Sequence, residues 1–230
     1  CGAILLSSKG NDTDIILSGG AISNDANHIS GPSRTGDGLY LAIRQAMEEA
    51  AVLAEDVSFM NTHGTATVYN DEMESKAIHL AGLETVPVHS LKSYFGHTLG
   101  ASGVIESIIC IHELKENVLF GTLGYEKPGV SMPILVQADH QEIPMKHCIK
   151  TASGFGGCNA AIVLTLPAYQ KQPSRVQSSV TVHTTATVSI ENSCLSMNGE
   201  TVFSSSAPNF AQFIREAYKN TGGSNMKFYK

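Results

Sequence analysis

The sequence predicts an α/β fold in which a sheet is layered against helices, with a small β-hairpin and helix appended after it. Short apolar runs, typical of buried strands, alternate along residues 1–167 with segments whose apolar positions recur at helical spacing. Composition then changes at Pro167, since residues 168–179 are polar and contain Gln, Lys, Pro and Ser, as linkers do. We therefore predict one domain over 1–167 and a linker plus small module over 168–230.

The elements of the first domain follow from these patterns in order. Strands are predicted at apolar runs that end at turn residues, namely 1–8, 14–20, 57–62, 86–90, 134–137, 148–153 and 160–166. A helix is predicted at 39–50, where apolar residues recur at helical spacing, and further helices are predicted at 71–81 and 100–114. Asp37 is a candidate N-cap of the first helix. The helix at 100–114 is apolar nearly all round, which indicates close packing inside a larger body.

The segment after the linker is predicted to be a separate unit. Val and Thr alternate with period two over 180–188, and 194–203 contains Asn198-Gly199, a dipeptide typical of hairpin turns. An amphipathic pattern over 209–219 predicts a short helix. We expect this hairpin and helix to act as a docking or linking module.

Composition and charge exclude several classes of function. The net charge is −6 and the 15 Lys and Arg residues are not clustered, so no surface for nucleic acid is expected. The five cysteines include no C-x-x-C pair, which fits neither a disulfide framework nor a thiolate zinc site and favours the cytoplasm. The apolar runs are far shorter than the ~20 residues of a membrane span, and no leader opens the chain. Because residue 1 is Cys rather than Met, we expect a piece of a longer precursor.

Two segments place a histidine where a folded chain would not need one. NTHGTAT at 61–67 puts His63 just after a strand, among small hydroxyl residues, where α/β proteins place their chemistry. KSYFGHTLGASG at 92–103 puts His97 at a helix start, where the dipole favours a neutral imidazole suited to an electrophilic role. Taken singly, His63 is more often a turn histidine and His97 a helix cap.

A third segment, SGFGGCN at 153–159, flanks Phe155 with glycines. Glycine permits backbone conformations closed to other residues and lets a ligand approach the main chain closely. The alternative is a plain tight turn with Phe155 in the core.

In order and spacing, the three segments resemble the C-terminal half of the β-ketoacyl synthases, which have the thiolase fold. That family carries H-G-T-x-T, K-S-x-x-G-H and G-F-G-G in this order. Here they read HGTAT at 63–67, KSYFGH at 92–97 and GFGG at 154–157. The resemblance runs over residues 1–166 and implies a mixed sheet covered by helices. Nothing comparable covers 168–230.

The resemblance assigns catalytic roles to four residues. It implies that His63 and His97 polarise the thioester carbonyl of a malonyl group on acyl carrier protein, which stabilises the enolate formed on decarboxylation. Lys92 matches the lysine of that site. Glu106 matches its ion-pair partner, which a buried ammonium needs.

The resemblance also implies contacts with substrate. Thr65 and Thr67 match the hydroxyls that hold the phosphopantetheine arm. Phe155 matches the gating aromatic beside the acyl pocket, with its backbone N–H as an oxyanion donor, and Gly156 belongs to the same turn. Two carboxylates match positions that support the His63 loop: Asp71 and Glu74.

One part of the family's machinery is missing from the sequence. Condensation needs a nucleophilic cysteine at a strand-to-helix elbow in the N-terminal half. None of the five cysteines has that setting, and each is interpreted as a small buried apolar residue. We therefore expect a fragment inactive alone, which pairs with a missing N-terminal half or a partner synthase subunit, as a dimer. Acyl carrier protein is the expected partner that carries substrate on phosphopantetheine, with no cofactor or metal bound by the chain itself.

Two questions stay open at this point. The alternative function is a non-catalytic synthase-like subunit that shapes chain length or holds an active synthase; four retained, interacting polar groups favour the enzyme. His28 matches a position near the malonyl site without a clear role. The other histidines have no partner at metal spacing and are interpreted as surface or structural: His79, His89, His112, His140, His147 and His183.

Overall fold

A mixed five-stranded sheet forms the centre of the protein. The computed structural model describes residues 2–8 and 10–171 in full, and the backbone of three strands farther along the chain. The sheet has the order β1-β7-β6-β2-β3, and its strands are β1 (Ile16–Asn24), β2 (Val57–Asn61), β3 (Val88–His89), β6 (His147–Gly154) and β7 (Cys158–Thr165). β2 is parallel to β3 and β6, whereas β7 is antiparallel to β6 and β1. A separate pair joins β4 (Val118–Leu119) to β5 (Gln141–Glu142).

Helices cover both faces of this sheet. On one face, α1 (Asp37–Ala50) and α2 (Val68–Leu80) pack with strand residues Met60 and Ile149 in one apolar cluster. On the other face, α4 (Ser102–Glu116) packs with Phe59 and Cys148. The single turn α3 (Lys92–Phe95) lies between β3 and α4. Side chains alternate along a strand, so neighbouring residues supply the two clusters. The predicted α/β layers are confirmed.

Two predicted strands are absent from the described residues. Residues 2–8 make no strand, and Leu5 and Leu6 remain 93% and 69% exposed. At 134–137 only an isolated bridge joins Val136 to Val88. Both predictions were wrong because an apolar run becomes a strand only when a neighbouring strand pairs with it. The neighbour of 134–137 is β3, which is only two residues long.

Two local predictions on helices are also corrected. Gly36, with φ 80°, is the N-cap of α1, and Asp37 is the first helical residue without a side-chain cap hydrogen bond. The face that α4 buries is partly polar, since Glu106 and Glu113 are 3% and 1% exposed. Several apolar side chains of α4 are only partly buried, among them Val104, Ile105 and Ile108, whereas Cys110 and Leu114 are fully buried.

The chain divides into two compact units, Cys1–Ser174 and Arg175–Lys230. In the second unit, β8 (Val188–Glu191), β9 (Cys194–Met197) and β10 (Glu200–Ser204) form an antiparallel sheet in the order β10-β9-β8. Met197 faces Glu200 across the hairpin predicted around Asn198-Gly199. The strand predicted over 180–187 and the helix predicted over 209–219 lie outside the described residues. None of the helices described is long and apolar enough to cross a membrane.

Candidate active site

The His63 loop begins where β2 ends and is held by a carboxylate on α2. Glu74 accepts hydrogen bonds from the backbone N–H of His63 at 2.8 Å and of Gly64 at 2.7 Å. The Ser90 hydroxyl donates to the Gly64 carbonyl at 2.7 Å. Gly64 has φ 44°, and a Cβ there would lie 2.6 Å from Ser90 Cβ, so no other residue fits. These contacts fix the position of His63. Burial raises the pKa of Glu74, although both N–H groups oppose the shift.

The two motif histidines lie together. The ring centroids of His63 and His97 are 5.1 Å apart, with the planes at 77°. His63 is 5% exposed, and its Nδ1 has no hydrogen-bond partner among the described residues; His97 is exposed. Burial lowers the pKa of His63 to about 3, and Lys92, Lys150 and His97 add to the shift. The pair therefore presents a neutral imidazole at pH 7 that can donate an N–H to a developing oxyanion.

Lys92 and Glu106 form a buried ion pair beside the histidines. Lys92 Nζ lies 2.7 Å from Glu106 Oε1, and the side chains are 8% and 4% exposed. Burial lowers the pKa of Lys92, and Glu106 opposes that shift. The two residues that the K-S-x-x-G-H resemblance paired are thus in contact.

A cavity of about 560 Å³ opens next to this pair. Its walls include Thr65, Glu74 and Lys92 on one side and residues 122–130 on the other. The Thr65 and Thr67 hydroxyls are hydrogen-bonded to each other at 2.8 Å, and Thr67 is exposed at the start of α2. Of the two threonines, Thr65 lies in the cavity wall.

The glycine turn joins β6 to β7 and exposes its aromatic residue. Phe155 is 85% exposed, and no contact in the described part of the chain joins it to either motif histidine. The Gly156 N–H donates to the Ile29 carbonyl at 2.7 Å, so this donor is already occupied. The convergence of Phe155 with His63 and His97 on one pocket therefore stays a prediction.

Sequence reasoning did not find the residues that hold this turn. Asn159 donates to Asp25 at 2.7 Å and accepts from Ser153 at 2.8 Å. The Asp25 N–H donates to the Gly157 carbonyl at 2.8 Å. Asn159 directly follows the G-F-G-G motif, but its partner Asp25 comes from the loop after β1, and no local pattern links the two.

Lys150 is a further residue that the sequence did not point to. It lies in β6, is 3% exposed, and its Nζ is 2.8 Å from Glu106 Oε2. A lysine in a strand predicted to be buried was a detectable signal, because a buried ammonium needs a carboxylate partner.

One group of three residues has ligand atoms close enough for a metal ion. The ligand atoms of His89, Cys110 and Glu113 lie within 4.8 Å of one another, and all three residues are buried. His89 Nε2 is 3.4 Å from Glu113 Oε2. His89, which has no partner at metal spacing in the sequence, is thus brought beside two α4 residues by tertiary packing. Burial and the neighbouring Cys148 raise the pKa of Cys110 well above its usual range, which favours the neutral thiol over a metal-binding thiolate.

The cysteines divide into two kinds. Cys110 in α4 and Cys148 in β6 are buried, as predicted, whereas Cys158 is exposed at the start of β7. The prediction that Cys158 is buried was wrong because it lies beside the exposed glycine turn. None of these three cysteines lies at a helix N-terminus.

Comparison with known proteins connects this geometry to a family. The model described as "Beta-ketoacyl synthase, C-terminal domain" matches residues 15–126. The chain is also 36% identical over 152 residues to 3-oxoacyl-[acyl-carrier-protein] synthase 2 of Vibrio harveyi, a match that covers 64% of this chain and 37% of that protein. The chain carries the C-terminal region of a β-ketoacyl synthase. It spans well under half of the curated relatives that it matches.

Solved ketosynthases share the fold of this synthase region. A ketosynthase from Xenorhabdus doucetiae, solved in complex with its chain length factor, matches with a TM-score of 0.62 and 31% identity, over 66% of this chain and 39% of that one. A type II polyketide ketosynthase, solved with its acyl-carrier protein, matches with a TM-score of 0.60 and 30% identity, over 65% of this chain and 38% of that one. The predicted thiolase-like fold is confirmed.

Proposed function

We propose that the chain is the C-terminal part of a β-ketoacyl-acyl carrier protein synthase and supplies the groups that decarboxylate a malonyl thioester. The observation that carries the proposal is the pair of imidazoles 5.1 Å apart, with the buried member neutral at pH 7. A buried N–H donor stabilises an oxyanion more strongly than one in water, because competing solvent is excluded.

The proposed reaction follows from this electrostatics. His63 and His97 donate hydrogen bonds to the thioester carbonyl oxygen of malonyl-carrier protein. The bond between C2 and the carboxylate breaks, CO₂ leaves, and the electron pair forms an enolate whose negative oxygen both imidazoles stabilise. The enolate carbon then attacks an acyl thioester on a cysteine, whose thiolate leaves. The Lys92 ammonium supports the enolate charge from beside the pair.

Residues near the histidine pair are proposed to bind the substrate. Thr65 and Thr67 would hold the phosphopantetheine arm, because their paired hydroxyls lie in and beside the wall of the cavity that reaches Lys92. Phe155 and Gly156 would border the acyl chain on the exposed turn. The carrier protein is supported as a partner by the solved ketosynthase that holds one. Location in the cytoplasm and a dimeric assembly belong to the same proposal.

The nucleophile must come from residues beyond those discussed above. Nucleophilic cysteines are commonly activated at helix N-termini, and Cys110, Cys148 and Cys158 do not lie at one; burial also raises the pKa of Cys110 despite the opposing charge of Lys150. The chain alone is therefore expected to bind and position substrate without condensing it, until an N-terminal half or partner subunit supplies the thiolate.

The first test is decarboxylation by the completed protein. The chain combined with a matching N-terminal half should release CO₂ from malonyl-carrier protein, and His97→Ala should lower that rate by about 100-fold. His112→Ala is the matched control, since His112 is exposed on α4 and should leave the rate unchanged.

A second candidate function is a non-catalytic partner subunit. The observation in its favour is the solved complex of a matching ketosynthase with a chain length factor. This alternative predicts no CO₂ release from the completed protein, and a His97→Ala variant that differs from the unmodified protein only in stability.

A further inference from the structure

One carboxylate in the site contacts two ammonium groups. Lys92 Nζ lies 2.7 Å from Glu106 Oε1, and Lys150 Nζ lies 2.8 Å from Glu106 Oε2. The second contact is an ion pair without the alignment of a hydrogen bond. All three side chains are at most 8% exposed. Nζ of Lys150 also donates to the Thr151 carbonyl. Glu106 is therefore held from both sides.

Strand β6 contacts a second carboxylate from its opposite face. The Thr151 hydroxyl donates to Glu74 Oε1 at 3.3 Å, and Glu74 in turn holds the His63 and Gly64 backbone amides. Side chains of consecutive strand residues point to opposite faces, so Lys150 reaches α4 while Thr151 reaches α2. A two-residue segment of β6 thus contacts both carboxylates behind the histidine loop.

The charges in this cluster do not balance through Glu106 alone. Two ammoniums share one carboxylate, and the other carboxylate, Glu74, has its pKa raised by burial. Both ammoniums and His97 act on His63, and Asp71 is a further carboxyl group that interacts with Lys92 and Glu74. Burying an ammonium is unfavourable, and apolar residues often replace buried ion pairs without loss of stability. Stability of the fold therefore does not explain a second lysine.

We propose that Lys150 is a positioning residue for the decarboxylation site. It holds Glu106 by the second oxygen, which fixes the Lys92 ammonium beside His63, and it adds positive charge where the enolate forms. This role rests on the proposed function. The Coulombic influence of Lys150 on both groups agrees with it, since Lys150 contributes to the lowered pKa of His63 and of Lys92.

The test is Lys150→Met, which removes the charge and keeps a long apolar side chain. NMR titration of the 230-residue chain should show the pKa of Lys92 and of His63 shifting upward, because a like charge is gone. In the completed protein, the decarboxylation rate should fall on the order of 10- to 100-fold, because Lys92 would be less well positioned. The KM for malonyl-carrier protein should stay unchanged. Lys146→Met is the matched control, because Lys146 is exposed and pairs with Asp56 away from this cluster.

Each outcome decides the inference. The inference would be overturned if the variant had the same pKa values and the same rate as the unmodified protein, even if it were less stable. A lysine with only a structural role would change stability alone. If Lys150→Met does not fold, Lys150→Gln replaces it, with the same expected shifts. If the unmodified completed protein releases no CO₂, the proposed function fails, and the Lys92 and His63 titrations alone then decide whether Lys150 positions the cluster.

Discussion

His63 is an imidazole held in place through its backbone and kept neutral by its surroundings. The backbone N–H of His63 donates to Glu74, and burial lowers the pKa of the His63 side chain to about 3. An unfolded histidine titrates near pH 6.5. As the pH falls from about 6.5 towards about 3, the unfolded chain therefore takes up a proton that the folded chain does not, and stability decreases.

This difference predicts a pH effect of His63→Gln. The unmodified chain should lose up to about 1.4 kcal/mol of unfolding free energy per pH unit in that window relative to the variant. The variant keeps the backbone N–H that Glu74 accepts, so the loop should stay intact. Urea unfolding at pH 4, 5, 6 and 7 measures both slopes. Equal slopes for the two proteins would mean that His63 is protonated in the fold, and His112→Gln controls for loss of an exposed histidine.

Single residues differ in how far the sequence could assign them. The pairs His63 with His97, and Lys92 with Glu106, were found because each lies in or near a recognisable motif. Lys150 was not found, because the carboxylate that makes its burial possible lies on α4, 44 residues earlier in the chain. A local pattern cannot show a partner that only tertiary packing brings into contact.

At the scale of elements, the β6–β7 hairpin depends on one glycine more than on its neighbours. Gly157 has φ 73°, and a Cβ there would lie 3.0 Å from Asp25 Cβ. Gly157→Ala should therefore destabilise the protein by about 1–3 kcal/mol, from backbone strain and this contact. Gly154→Ala is the matched control, because its Cβ would meet nothing nearer than 4.0 Å.

Chemical denaturation of the two alanine variants measures the difference. Gly154→Ala should stay within about 0.5 kcal/mol of the unmodified protein, as exposed substitutions usually do. Equal effects of the two substitutions would show that the turn tolerates a different backbone conformation, and the role given to the Asp25 contacts would be wrong.

Helices were predicted more reliably than strands, for a physical reason. α1 and α4 form their backbone hydrogen bonds within one segment, so local sequence located them, by helical spacing for α1 and by a long apolar run for α4. Strand pairing is non-local, and the apolar runs at 1–8 and 134–137 lack the neighbours that β2 and β6 have. The sequence pattern showed which segments are apolar, whereas hydrogen bonding to a neighbouring strand decided which of them became strands.

At the scale of the whole molecule, we expect a partner to cover the exposed apolar side chains. They belong to several segments of the first unit and include Leu5, Leu6, Ile22, Ile29 and Phe155, each at least 69% exposed. Such side chains are typical of an interface where they form one contiguous patch. The expected cover is the partner half or subunit.

The second unit is predicted to contribute to association by itself. Among the described residues, β8 and β10 are the outer strands of its three-stranded sheet, and strand edges without a partner readily pair with another chain. Deleting residues 168–230 should therefore lower the mass measured by light scattering. Deleting only 205–230 keeps the three strands and serves as the control. An unchanged mass after the longer deletion would remove the docking role from this module.

The register between β2 and β6 determines which side chains of β6 face each helix layer. Asn61 lies opposite Lys150 in that register. Were β6 to slip by a single position, every side chain on it would exchange faces, so the ammonium would meet α2 and the threonine hydroxyl would meet α4. The backbone register thus decides which β6 side chain contacts each carboxylate, Lys150 for Glu106 and Thr151 for Glu74, so an insertion or deletion of one residue ahead of Lys150 would exchange the two.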